Sequence, residues 1–432
     1  MNEPITVFEF SNGLKVFLKE IHSAPIISHW TWYRVGSRYE LPGYTGISHW
    51  VEHMQFKGTN RFPGTQMDRL ISREGGVWNA FTHLDWTTYF ETMPANKINI
   101  ALELEADRMF NSVFDPQEVE SERTVIIAEK EGKDNEPMSR LNTAVMEAAF
   151  EHHPYRNEVI GTQEDLMHIQ REDLYQHYRH YYQPSNTMIA IAGDFDTKVM
   201  LEKISSLYGQ HPSQKPDHPP IEPENELKGP HEIIQRGPGD TTFIQLAYRS
   251  PAAAHPDFFA FTILDSLLSG PASLNMFGGG GTSNKTSRLY NKLVEKELAV
   301  GVSGGLQATI DPFVYDITLT LHPESNPEDA IKALDREINQ VIERRIRRKE
   351  VERAVKQARA LFAYGLENIT NQAFWMGYSE IFATYNWFTQ YLDRLANIKP
   401  ADVQMVAEKY LNPNKRVVGI YVPEDIQTEV PA

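Results

Sequence analysis

A chain of 432 residues with a formal net charge of −16 at pH 7 is poorly suited to a nucleic-acid backbone, which needs a basic face. It contains no cysteine, so disulfides and thiolate metal ligands are excluded, and any metal must be held by His and carboxylate. The composition, 41% hydrophobic and 23% charged, is that of a globular protein long enough for two or more domains, and no window approaches the ~18 apolar residues of a membrane span.

The first ten residues, Met1 to Phe10, show neither the basic leader nor the apolar core of a signal or transit peptide, which makes the cytoplasm the expected location. Residues 5 to 20 alternate apolar and polar around Ser11-Asn12-Gly13, the pattern of a β-hairpin. A third strand is expected over 26 to 35, and a Gly/Pro/Ser-rich turn over 36 to 46 delivers the chain to His49-Trp50-Val51-Glu52-His53.

If that run is helical, His49 and His53 stand at i and i+4 and leave one face about a turn apart, able to grip one ion. Two neutral ring nitrogens are what a zinc site wants. Glu52, three residues after His49, is close enough to reach metal-bound water but poorly placed as a ligand, which suits a general base. Among 15 histidines and 58 acidic residues such a pentapeptide can arise by chance, as two surface imidazoles beside a solvated carboxylate. The apolar flanks Ile47, Trp50, Val51, Met54 and Phe56 argue instead for a buried or cleft-lining helix, where the imidazoles need partners.

A short helix over 65 to 71 is expected to stop at Gly75-Gly76, followed by strand-like residues 77 to 93 with a turn near His83-Leu84-Asp85. Helices are expected over 97 to 110 and 116 to 133. On the second of these, Glu118, Glu122 and Glu129 share a face, ordinarily a solvated acidic stripe. A catalytic zinc site needs a third protein ligand, and spacing alone does not choose between Glu122, Glu129 and Glu131.

Another helical pattern over 141 to 150 ends at His152-His153-Pro154-Tyr155, whose histidines read as loop or capping residues. A helix over 171 to 182 turns through Gln183-Pro184-Ser185-Asn186 into an apolar strand, 188 to 192. The Pro-rich stretch 211 to 230 reads as an extended linker, which divides the chain into an N-terminal domain, 1–212, a linker, 213–230, and a C-terminal domain, 231–432. Beyond it the plan recurs: Asp173 precedes Pro184 by eleven residues and Asp402 precedes Pro413 by eleven, each pair followed by a β-rich run. This suggests duplication, with two α/β halves of which only the first carries the metal motif. The basic cluster Arg344 to Lys349 reads as a solvated helix end, and the run Phe277 to Thr282 is a weak phosphate-cradle signal because no Gly-Lys-Ser/Thr follows.

His49 to Thr59, Gly75 to Thr82, Glu122 to Glu129, His153-Pro154-Tyr155, Tyr182 to Asn186 and Ser287 to Tyr290 together resemble the inverzincin peptidases of the pitrilysin and mitochondrial-processing-peptidase type, over nearly the whole chain. The resemblance implies an α+β fold of two homologous α/β-roll halves, each a mainly antiparallel sheet packed on helices, forming half of a clam-shell. It implies Zn²⁺ held by His49, His53 and Glu129, with Glu122 as the supporting carboxylate and Asn79 and Ala80 on an edge strand that binds the substrate backbone. In such a centre zinc activates water, and Glu52 takes the proton and returns it to the leaving amine.

Self-sufficient relatives carry, in the second half, an Arg and a Tyr seven residues apart that hold the substrate carbonyl. Here Val294 and Val300 occupy those places in a run shorter by one residue, Leu293 to Gly301. The expectation is therefore a zinc endopeptidase subunit acting on peptides or unstructured segments, completed by a homologous partner as a heterodimer, or else paired as a homodimer. The alternative is a non-catalytic structural subunit of the same fold; such members have typically lost the metal motif, which this chain keeps.

Overall fold

A computed structural model describes residues 5–224, 226–227, 229–271 and 284–424; the Gly-rich run 277–282 lies outside them. The chain forms two compact units: Met1–Lys130, Asn157–Ile221 and Leu366–Phe388 make the first, and Glu131–Arg156, Glu222–Gly365 and Thr389–Ala432 the second. No helix among the described residues is long and apolar enough to cross a membrane.

Strands β1 (Thr6–Glu9) and β2 (Lys15–Glu20) form the expected hairpin, closed at Gly13, whose φ of +87° only glycine adopts without strain. Then come β3 (Ile26–Tyr33) and helices α1 (Ile47–Met54) and α2 (Gly64–Arg73), followed by β4 (Val77–Thr82) and β5 (Thr87–Pro94). Helices α3 (Ile98–Asn111), α4 (Pro116–Asp134), α5 (Pro137–Ala149), α6 (Gln163–His168) and α7 (Arg171–Tyr181) precede β6 (Thr187–Gly193) and α8 (Thr197–Tyr208). The remainder is β7 (His231–Pro238), β8 (Phe243–Arg249), α9 (Phe258–Leu268), β9 (Ala299–Leu306), β10 (Val314–Leu321), α10 (Pro327–Glu343), α11 (Arg348–Gly365), α12 (Ile369–Phe382), α13 (Tyr385–Thr389), α14 (Tyr391–Ala396), α15 (Pro400–Tyr410) and β11 (Arg416–Glu424).

The first unit's sheet has the order β1-β2-β6-β3-β5-β4 and the second's β7-β11-β8-β10-β9. Apart from the extra β1, the two share one topology. In each, one parallel pair (β2 with β6, β7 with β11) continues into antiparallel neighbours. The repeated helix-turn-strand also has a shared cause. Asp173 and Asp402 occupy the third position of α7 and α15, and each accepts a hydrogen bond at 2.8 Å from the backbone N–H that precedes its helix, Gln170 and Lys399. The duplication is thus written in helix caps as well as in sheet order.

The compact units do not follow the expected contiguous division into 1–212 and 231–432. The segment containing α5 leaves the N-terminal half to cover β11, β8 and β7, and the one containing α12 leaves the C-terminal half to cover β3, β6 and β2. These are equivalent positions in the two sheets. Apolar faces of matching pattern select the helices: Phe374 lies against Trp30 and Trp32 at ring-centroid distances of 5.4 and 5.3 Å. The fit is close enough that a Cβ on Gly377 would stand 2.2 Å from Trp32 Nε1, and one on Gly419 would stand 2.4 Å from a methyl of Val145. Strands β3 and β6 are buried almost throughout, as strands covered on both faces must be.

Candidate metal centre

The histidine helix is placed from its N-terminus. Gly46, at φ +89°, passes so near Ile160 that a Cβ would lie 2.3 Å from its carbonyl oxygen. The buried Glu40 carboxylate accepts the N–H groups of Gly46 and Ser48, both at 2.9 Å, and so satisfies donors that a helix start leaves open. Burial pushes the Glu40 carboxyl up to about 7, against the opposing pull of those N–H bonds. No spacing rule marks Glu40, which sequence reasoning missed. Trp50, Val51 and Met54 point into the first unit's core, leaving His49 and His53 on the opposite side with 13% and 21% of their side chains exposed.

Helix α4 supplies the rest. Glu122 and Glu129 are seven residues apart, two turns on one face, and His53 lies between them. Its Nδ1 is 2.7 Å from Glu122 Oε1, while its Nε2 is 3.8 Å from Glu129 Oε2. Burial pushes Glu122 up, but its bonds to His53 and to the Lys57 ammonium outweigh that and hold it below the usual carboxylate range. An ionised carboxylate only accepts, so His53 donates from Nδ1, and its Nε2 faces Glu129.

His49 Nε2 lies 3.9 Å from the same Glu129 oxygen, and the two imidazole centroids are 4.5 Å apart. One ligand atom from each of His49, His53 and Glu129 falls within 4.8 Å of the others. Ligands about 2.0–2.1 Å from a tetrahedral ion stand roughly 3.3 Å from one another, so the three side chains would draw together to hold Zn²⁺. The donor set, two neutral nitrogens and one carboxylate, is the His₂Glu type of hydrolytic zinc sites. Glu131 is exposed and outside the cluster.

Glu52 is buried beside the histidines, and Thr82 Oγ1 donates to its Oε2 at 2.5 Å. Burial raises its proton affinity, partly offset by Thr82 and by His53, while the nearby Glu129 adds to the rise. Thr82 is a second residue that sequence reasoning left without a role. It ends β4, the terminal strand of its sheet, on which Asn79 is exposed and Ala80 buried, paired across to Phe90 and Tyr89. Behind β4, the fully buried Arg108 packs 4.5 Å from the Tyr89 ring and 5.5 Å from those of Trp78 and Phe56. It is ion-paired with buried Glu105 and Glu91, so charge as well as packing fixes this strand.

Elsewhere the structure agrees with the expectation that His153 is a loop and capping residue. His153 is a structural residue of the second unit: Nε2 lies 3.0 Å from Asp311 Oδ2, and Nδ1 accepts from the Tyr155 N–H at 3.1 Å. Val294 ends a short helical turn, and Val300 lies exposed on β9. Neither side chain can donate a hydrogen bond.

A His-x-x-Glu-His helix and a carboxylate from a later helix, on a duplicated α+β frame, define the inverzincin class of metallopeptidase folds. A family model described as Insulinase (Peptidase family M16) matches residues 15–163, and one described as Peptidase M16 inactive domain matches 168–358. The chain belongs to peptidase family M16. It is 27% identical over 416 residues to the zinc protease PqqE of Helicobacter pylori, covering 92% of this chain and 88% of that one. In fold it resembles a crystal structure of a protease from Helicobacter pylori (TM-score 0.90, 24% identity, 98% of this chain and 100% of that). It also resembles the periplasmic protease PqqL from Escherichia coli (TM-score 0.78, 18% identity), where 98% of this chain covers 48% of that one.

Proposed function

We propose that this chain is the metal-bearing subunit of a zinc-dependent endopeptidase that cuts peptides or unstructured polypeptide segments. The observation that carries the reading is the convergence of His49, His53 and Glu129 on one point, with buried Glu52 beside them. When bound there, Zn²⁺ supplies Lewis-acid polarisation of a carbonyl and makes water a nucleophile near neutral pH. Thr82 holds one Glu52 oxygen, and the other takes a proton from water and passes it to the leaving amine; a raised proton affinity suits both halves of that relay. Glu122 keeps the His53 tautomer that leaves Nε2 for the metal. The substrate lies as an added strand along β4, with Asn79 and Ala80 at its backbone.

Val294 and Val300 leave this chain without a donor for the developing oxyanion at those positions, which favours a homologous partner that brings an Arg/Tyr pair. PqqL, about twice this chain's length, is consistent with a two-part assembly. The test is metal analysis with peptide hydrolysis. One zinc per chain is expected, lost in His53→Ala. Glu52→Gln should keep the zinc and lower turnover by ~10²-fold or more; turnover at the wild-type rate in that variant contradicts the base assignment. Strong activity from the purified single chain removes the need for a partner.

A further inference from the structure

The basic run between α10 and α11 does more than end a helix. Arg345, Arg348, Lys356, Arg359 and Lys399 line a groove of about 1310 Å³ between α11 and the start of α15, all within the second unit. Two acids, Glu343 and Glu352, share the lining, and Glu352 is already paired with Arg348 at 2.8 Å. Among the described residues none of Arg345, Lys356, Arg359 and Lys399 is in an ion pair. Gathering unpaired cations on one face is electrostatically unfavourable. In a chain of net charge −16 this concentration stands out as a local reversal of sign.

The groove's chemistry narrows its ligand. Its volume exceeds the roughly 300–1,000 Å³ of small-molecule sites. Its floor carries Val351, Val355 and Ile398, and no aromatic side chain lines it, so there is no platform for stacking bases. Guanidinium groups grip carboxylates two bonds at a time, and a mixed wall of cations over an apolar floor matches carboxylates interleaved with apolar side chains. From Arg348 to Arg359 the helix rises about 16 Å, the span of roughly five extended residues. We propose that this groove binds an acidic segment of another polypeptide, about five residues long with apolar side chains between its carboxylates. Its lining includes none of the proposed metal ligands.

The test uses the full chain and a fluorescein-labelled peptide of alternating Glu and Leu, followed by anisotropy at low and physiological ionic strength. Saturable binding is expected, weakened by salt. It should be at least tenfold weaker for the peptide with Gln in place of Glu and for the double variant Lys356→Gln/Arg359→Gln, and several-fold weaker for Val355→Ser. Lys349→Gln, exposed in the same basic run but outside the groove, should bind as wild type. If the double variant melts below wild type, Arg345→Gln, which lies between helices, carries the same comparison. No saturable binding, or a Lys349→Gln loss equal to the double variant's, overturns the proposal. So does inorganic polyphosphate displacing the peptide while Val355→Ser changes nothing, because the groove is then a general anion patch.

Discussion

Glu122→Ala removes a carboxylate outside the proposed ligand set, yet it should cost zinc affinity. In the wild type this carboxylate accepts His53 Nδ1–H at 2.7 Å and pairs with Lys57, and it is buried. Without it the imidazole is free to flip or change tautomer, and among the described residues Lys57 keeps Glu118 alone as an ion-pair partner, 3.6 Å away. Outer carboxylates of this kind are worth about 10–100-fold in metal affinity, or about 1.4–2.7 kcal/mol. Glu122→Gln keeps an acceptor but loses the charge, so it should fall near the lower bound. Because His53 and Lys57 hold the carboxyl below its usual range, its contribution is present above that range and is lost as the pH falls through the folded value. The difference between variant and wild type should therefore be constant across neutral pH and shrink in acid. Competition for zinc against a chromophoric chelator measures the loss. Wild-type affinity in Glu122→Ala would show that Glu129 and the helix alone orient the ring.

Two further outcomes follow from buried acids. Thr82→Val deletes the donor that favours the charged form of Glu52, so the acidic limb of the kcat/KM profile should move to higher pH; a profile that does not move makes Thr82 a packing residue. In the second unit, burial pushes Asp265 up to about 6, although Ser269 and Tyr315 donate to it. The folded state then holds a proton that the unfolded state releases near 3.8, so stability is lost as pH rises from about 4 to about 6, by about 3 kcal/mol in all. Asp265→Asn should flatten that slope in urea titrations at pH 4 and 7, and an unchanged slope refutes the assignment.

Much of the site was legible because its chemistry repeats along the chain. His49, Glu52 and His53 lie within one helical turn, and the face shared by Glu122 and Glu129 is a matter of counting. Spacing could not separate Glu122 from Glu129, because their difference lies in which end of one imidazole each reaches. Glu40 and Thr82 stayed hidden for a related reason. Their partners, Gly46 N–H and Glu52, are set by where a turn and a strand end in space, and no periodicity encodes that. The duplication showed through the Asp173 and Asp402 caps, whereas the crossing of α5 and α12 did not. An amphipathic pattern says that a helix has a face to bury, not which sheet receives it.

That crossing makes a fragment experiment decisive. Residues 1–221 contain all of the proposed metal ligands and every strand of the first sheet, and by the contiguous division they are close to a whole domain. In the structure, however, Trp30 and Trp32 lie under Phe374, with Tyr378 stacked 6.2 Å from Trp32, and Trp30, Trp32 and Phe374 are all buried. Fully burying one such side chain stabilises by about 1.5–3 kcal/mol, so uncovering this face costs on the order of 5–10 kcal/mol, comparable to the whole stability of a typical domain. The fragment should therefore unfold without a cooperative transition and bind zinc weakly. Residues 366–388 supplied in trans or by a flexible tether should restore both properties. A fragment 1–221 that melts cooperatively and holds one zinc without that helix would mean that the sheet's outer face is self-sufficient, and the exchange of helices would then be a matter of connectivity rather than of stability.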